Sequence, residues 1–199
     1  MSALSLAARE GREQLGLKGP RAAEWLAGNG IALPMTPNTW KAAEEPSGDE
    51  PLLVARLGTA EFFLEGDEAG TTLQRLAPSL DEPPPGVYPV IREDWSFVLG
   101  GEGVHDVLAQ VCNVNFAALS LDSRPVIMTL MIGVAVLVVP QRVDGRVAAA
   151  ARHDAAGRHD AAGRQYRIWC DPTFGPYLGA SLGGVVVECG GRYTGVLDI

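Results

Sequence analysis

Three consecutive prolines, Pro83, Pro84 and Pro85, stand near the middle of this 199-residue chain. A proline fixes its own φ and lacks a backbone N–H, so neither a helix nor a central strand crosses such a run. The chain therefore reads as two halves, residues 1–80 and 87–199, with 81–86 as an extended connector. The halves also share a pattern. Gly19-Pro20-Arg21-Ala22-Ala23-Glu24-Trp25-Leu26 lines up with Gly101-Glu102-Gly103-Val104-His105-Asp106-Val107-Leu108, each a glycine turn leading into a short helix with paired apolar residues. Each half further supplies a strand pair and a later helix. The expected fold class is α+β, two related small α/β units, each a short antiparallel sheet packed with helices.

Local signals place the elements. Pro20 suits the first turn of a helix over residues 20–27, which Gly28 and Gly30 end. The polar and Pro-rich stretch 34–51, with Glu44, Glu45, Asp49 and Glu50, reads as a solvated loop. Residues 52–65 read as two strands turning near Gly58, and 71–77 as a helix, because Leu73 and Leu76 recur at helical spacing. In the second half a strand over 95–99 and a glycine turn lead into a helix over 104–111. The Val/Ile-rich run 126–139 makes two buried strands, 126–132 and 134–139, the second ended by Pro140. Residues 174–188 form a helix with Tyr177, Leu178, Leu182, Val185 and Val186 inward, in spite of Gly179, Gly183 and Gly184, each of which costs about 1 kcal/mol relative to alanine. Between 143 and 164 the unit Arg-His-Asp-Ala-Ala-Gly-Arg occurs twice, at 152–158 and 158–164. With no apolar face, this insert is expected to be a mobile or poorly packed hairpin loop.

Composition excludes several partners. A net charge of -8 and a pI near 4.9 repel nucleic-acid phosphates and anionic membranes. The three cysteines, Cys112, Cys170 and Cys189, form no CxxC pair and suit a reducing cytoplasm. Residues 1–17 are interrupted by Arg9, Glu10, Arg12 and Glu13, unlike a secretion signal.

His153 and His159 sit in the insert, without rigid geometry for a metal. His105 is adjacent to Asp106 on a helix, where neighbours point apart, so it reads as a surface or interface residue. The turn Gly100-Gly101-Glu102-Gly103 lacks the lysine and hydroxyl residue of a phosphate loop and reads as a close strand-to-helix turn. Cys170, alternating beside Trp169, reads as a half-buried thiol. Glu93 and Asp94 are the acids of interest, because a buried carboxylate holds an amine or a pterin amide by charge-assisted hydrogen bonds. Tyr88 and Trp95 would supply aromatic faces beside them. A strand-start turn facing solvent is the other reading of Glu93 and Asp94. No catalytic or metal-ligating constellation emerges.

Longer motifs carry a resemblance. The segments Gly101-Glu102-Gly103-Val104-His105-Asp106-Val107-Leu108 and Gln110-Val111-Cys112-Asn113-Val114-Asn115-Phe116 are similar to the helix and Cys-x-(Val/Leu)-(Asp/Asn) stretch of the gamma subunits of heterotetrameric sarcosine oxidase. Met128-Thr129 through Val139, Tyr166-Arg167-Ile168 and Phe174-Gly175-Pro176-Tyr177-Leu178 resemble that family's later strands and final helix. Arg56-Leu57-Gly58-Thr59-Ala60-Glu61-Phe62-Phe63-Leu64 resembles its Leu-Gly-x-x-Glu-Phe-Leu hairpin. The resemblance, in order and spacing, runs from about Leu15 to Gly191 apart from the insert. It implies the folate-binding fold of the aminomethyltransferases and of the glycine-cleavage T-protein. It also implies a non-catalytic accessory subunit in a cytoplasmic complex of alpha, beta, gamma and delta chains, docked on the large alpha subunit. In such a complex FAD, FMN, NAD, zinc and tetrahydrofolate are held by the other subunits, and this chain binds no cofactor. The substrate would be sarcosine or another N-methyl amine, with a methylglutamate dehydrogenase as a related assembly. The alternative is a folate- or pterin-binding module for one-carbon transfer, using Glu93, Asp94, Trp95 and Tyr88. An independent aminomethyltransferase would need a longer chain.

Overall fold

The computed structural model describes residues 3–10, 12–46, 50–142 and 163–194. In chain order the elements are β1 (Ser5–Arg9), β2 (Arg12–Lys18), α1 (Ala22–Gly28), β3 (Thr39–Ala43), β4 (Leu52–Gly58), β5 (Glu61–Asp67), α2 (Thr71–Leu76) and β6 (Tyr88–Val90). There follow β7 (Trp95–Gly100), α3 (Val104–Val111), β8 (Ile127–Met131), β9 (Val134–Arg142), β10 (Arg164–Cys170), α4 (Gly175–Glu188) and β11 (Arg192–Thr194).

They form two units. The amino-terminal unit comprises Glu10–Glu93 with Ser123–Val126, and the carboxy-terminal unit comprises Met1–Arg9, Asp94–Asp122 and Ile127–Ile199. The first holds an antiparallel five-stranded sheet in the order β3-β4-β5-β2-β6. Leu17, Val54, Phe62 and Leu64 on one face of that sheet are buried with Leu26 of α1 and Leu73 and Leu76 of α2. The second holds a six-stranded sheet in the order β11-β1-β7-β10-β9-β8, antiparallel except for the β1–β11 pair. Its core joins Leu6, Phe97, Leu99, Val138 and Ile168 to Val104 and Leu108 of α3 and Leu178, Leu182 and Val186 of α4. Alternation along the strands sets these faces, since successive side chains point to opposite sides.

The repeat is deeper than the glycine–helix match. β2-α1-β3-β4-β5-α2 and β7-α3-β8-β9-β10-α4 follow one plan, with sheet orders β3-β4-β5-β2 and β8-β9-β10-β7. The first strand of each copy gains one more antiparallel neighbour from the segment that precedes the other copy: β6 joins β2, and β1 joins β7. Gly19 and Gly101, with φ of 123° and 105°, occupy the same place in the two copies. A Cβ at Gly19 would collide with the backbone of Gly86, just before β6. One at Gly101 would collide with the backbone of Ala3 and lie 2.7 Å from Leu4 Cα, just before β1. These glycines are therefore required by close backbone approach as well as by φ.

Several sequence expectations change. The strand exchange moves the first nine residues into the carboxy-terminal unit, and the chain passes between units after Glu93. Pro83–Pro85 lie inside the amino-terminal unit, turned so that Val87 N–H donates to Pro84 O and Arg21 N–H to Gly86 O. β1, β2, β6 and β11 had no sequence signal, and β3 lies inside the stretch 34–51 read as a loop. Pro140 does not end its strand, because β9 continues to Arg142. β8 reaches only as far as Val138, so the side of β9 toward which Pro140 would have donated carries no strand. Tyr177 is exposed on α4, whereas Leu178, Leu182 and Val186 are buried. Arg142 pairs opposite Arg164 across β9 and β10. The loop expected between them falls on 143–162, outside the described residues.

Candidate functional site

The four residues singled out in the sequence divide between the units. Tyr88 opens β6 opposite Lys18, is half exposed, and leans on Gly19, where a Cβ would lie 2.8 Å from its ring. Glu93 is exposed at the end of the amino-terminal unit. Asp94 and Trp95 belong to the carboxy-terminal unit, with Trp95 opposite Cys170 at the start of β7. Gly175 lies flat against the Trp95 indole, where a Cβ would come within 2.8 Å of Cε2, and Phe97 lies 6.2 Å away at 42°. One face of Trp95 is thus occupied by the start of α4. Burial pushes the Cys170 thiol up to about 12, and the negative charges of Asp94 and Asp171 add to the shift. A thiol held so far above neutrality is a packing group and not a nucleophile.

The carboxy-terminal unit contains a polar cluster that sequence reasoning missed. His105 on α3 places Nε2 2.7 Å from the Tyr166 hydroxyl on β10. Tyr166 is fully buried, with the Phe116 ring edge-on at 5.4 Å. The Arg164 guanidinium donates to the carbonyl oxygens of Phe116 at 3.4 Å and Leu119 at 3.2 Å, and its charge favours the ionised form of the Tyr166 phenol against the effect of burial. Burial lowers the His105 pKa and the Arg164 cation lowers it further, while Asp106 acts in the opposite sense. Burial raises that of Tyr166. A neutral imidazole therefore meets a protonated phenol, and this bond ties α3 to β10. A wholly buried hydroxyl meets no substrate, so the cluster is a lock in the core. His105 is part-exposed, as a surface residue would be, and its ring nitrogen is engaged by Tyr166. The signal that points to it is its position on α3 of the repeat, one residue after the buried Val104.

Two further residues in the amino-terminal unit are committed to structure. Arg56 donates to the carbonyls of Met35 at 2.9 Å, Thr59 at 2.7 Å, Gly58 at 3.3 Å and Pro34 at 3.4 Å, and its guanidinium stacks 5.6 Å over Phe62. Glu45 accepts from the N–H groups of Thr71 and Thr72 and so caps α2. Beside the prolines, Arg21, Glu24, Trp25 and Pro84 line a cleft of about 210 Å³. Its two charges are already paired, Arg21 Nε to Glu24 Oε2 at 3.1 Å. Ligand pockets are commonly about 300–1,000 Å³. The cleft does not fit a folate, whose pterin and aminobenzoyl-glutamate parts need more room and unpaired polar groups.

The turn at Gly100–Gly103 resolves in favour of close packing, since the backbone of Ala3 and Leu4 fills the space beside Gly101. Among the described residues, no group of three His, Cys, Asp or Glu could hold a metal, and no helix is long and apolar enough to cross a membrane.

No protein-family model and no curated protein sequence matches the chain. Solved structures do. A heterotetrameric sarcosine oxidase from Corynebacterium sp. U-96, in complex with pyrrole 2-carboxylate, matches with a TM-score of 0.64 and 20% identity, over 94% of this chain and 85% of that one. Glycine cleavage system aminomethyltransferase T from Bartonella henselae matches with a TM-score of 0.64 and 14% identity, over 97% of this chain but 48% of that one. At such identities the likeness speaks of architecture. In its two-unit α+β fold the chain resembles a chain of heterotetrameric sarcosine oxidase over nearly its whole length, and about half of an aminomethyltransferase T.

Proposed function

We propose that this chain is a non-catalytic, gamma-type accessory subunit of a heteromeric complex that oxidises sarcosine or another N-methyl amine. It docks on the large alpha subunit, while FAD, FMN, NAD, zinc and tetrahydrofolate are held by the other chains. The observation that carries this reading is the reciprocal coverage: 94% of this chain against 85% of a chain from a heterotetrameric oxidase, compared with 48% of the aminomethyltransferase. The likeness to a chain of an assembly supports the subunit reading by analogy of fold.

The chemistry of the side chains agrees. Cys170 has its thiol held at about 12, His105 is spent on Tyr166, and Arg56 is spent on four carbonyl oxygens. The groups with the most chemical potential are thus engaged in folding this chain.

The test is co-expression with a flavoprotein large subunit of the sarcosine oxidase type from the same source. Co-purification at fixed stoichiometry, with tetrahydrofolate binding only in the assembly, is the expected result. A chain that stays alone and binds tetrahydrofolate by itself would overturn the reading in favour of a folate-binding module.

A further inference from the structure

The two repeats differ at one edge. In the amino-terminal unit the outer side of β3 is covered by the extended segment Ser123–Val126. Thr39 pairs with Pro125, Trp40 N–H donates to Arg124 O at 2.9 Å, and Val126 N–H donates to Asn38 O at 2.8 Å. The Arg124 guanidinium lies 5.5 Å over the Trp40 ring. β8 holds the matching place in the carboxy-terminal unit, at the end of the sheet order, and among the described residues no strand pairs with its outer side.

Geometry says what that side presents. β8 and β9 are joined by Ile132 and Gly133, with φ of 50° and 81°, a two-residue turn in which the flanking pair Met131 and Val134 is hydrogen-bonded. By the alternation of an antiparallel ladder, Ile127, Thr129 and Met131 spend their backbone groups on β9, and Met128 and Leu130 turn theirs outward. The same two residues are the exposed ones, at 56% and 59%. The strand reads Ile-Met-Thr-Leu-Met, without the charge, proline or bulge that protects a free edge.

We infer that the outer edge of β8 receives an extended, apolar segment of a partner polypeptide by strand addition, as Ser123–Val126 does at β3. This rests on the accessory-subunit reading and names the docking element within it. A second copy of this chain is a poor occupant. Each copy carries a net charge of -8, and a five-residue strand paired with its twin buries far less than the roughly 1,000 Å² that a stable interface needs. A neutral or basic partner segment escapes the charge repulsion, and in a larger partner the strand pair is one part of the interface and not the whole of it. Main-chain hydrogen bonds to Met128 and Leu130 supply affinity, and their side chains supply an apolar contact.

The experiment compares amide hydrogen exchange of the full chain alone and in the co-purified complex. Exchange at Met128 and Leu130 is expected to be fast in the isolated chain and at least about tenfold slower in the complex. Leu130→Pro removes only an outward N–H, and it is expected to weaken assembly about tenfold or more while leaving the circular dichroism of the isolated chain unchanged. If that variant misfolds, Leu130→Lys places a charge on the same exposed position and is expected to weaken assembly likewise. Wild-type assembly without protection at these amides, or undiminished assembly of a folded edge variant, overturns the inference and leaves the subunit reading standing. Protection already present in the isolated chain, from its own tail or from a second copy, also overturns it. A chain that never co-purifies overturns both.

Discussion

Helix α4 carries four glycines whose surroundings differ enough to give opposite responses to one substitution. Gly175, Gly179 and Gly183 recur every four residues and so share a face. A Cβ at Gly175 would drive into the Trp95 indole. One at Gly179 would lie 3.1 Å from Phe97 and 2.9 Å from the Tyr193 hydroxyl, and one at Gly183 would lie 3.0 Å from the Tyr193 ring. Gly184 is exposed, with nothing within 4 Å of its missing Cβ. Gly184→Ala therefore yields the propensity gain alone, about 0.5–1 kcal/mol. Gly175→Ala sits at the first helical residue, where that gain is small. Its new methyl has no space unless α4 lifts from β7, an overpacking cost of about 1–3 kcal/mol. The two variants should differ by about 1.5–4 kcal/mol with opposite signs. Urea unfolding followed by tryptophan fluorescence, with the midpoint read at constant slope, measures this directly. Equal stability of the two variants, or a more stable Gly175→Ala, would refute the argument that the glycine face exists to let β7 and β11 approach the helix.

Other outcomes follow from the polar groups. The His105 pKa is lowered below 6.5 in the folded chain, so below pH 6.5 the unfolded chain binds more protons. Stability from this group is full above about pH 6.5 and falls as pH drops toward the lowered value. His105→Gln should flatten that part of the wild-type profile, and an unchanged profile would show that the Tyr166 bond does not depend on a neutral imidazole. Alkylation at pH 8 followed by mass spectrometry should label partly exposed Cys189 well before buried Cys112, and Cys170 last, since its thiol is held at about 12; early labelling of Cys170 would contradict its burial. Arg56→Met should cost about 1–3 kcal/mol by leaving the Met35 and Thr59 carbonyls without their donor, and should open residues 32–38 to proteolysis. Wild-type resistance in that variant would mean that the loop is held by other contacts.

Much of the architecture was legible. α3 was found at its observed bounds because Gly103 precedes four core-facing residues, Val104, Val107, Leu108 and Val111, at helical spacing. The β4–β5 and β8–β9 hairpins followed from apolar runs broken at Gly58 and Gly133. The repeat and the α+β class followed from the two glycine turns. Of the site, only the separate residues were legible. Glu93 and Asp94 are adjacent in sequence yet fall in different units, and nothing in their local pattern marks where the chain crosses. The His105–Tyr166 bond joins residues 61 apart, beyond any motif.

The sequence by itself determined the elements that local chemistry can specify: positive-φ glycine turns, helices with an apolar stripe, and hairpins closed over a few residues. Tertiary structure alone decided where β1, β2, β3, β6 and β11 pair. These strands are short or carry no clear alternation, and several of their partners lie far along the chain, as Arg12 opposite Asp67 and Ser5 opposite Arg192 show. It also decided which glycines of α4 are needed. A missing Cβ has the same propensity cost everywhere in the sequence, and only the neighbour that fills its place makes Gly175 indispensable and Gly184 replaceable.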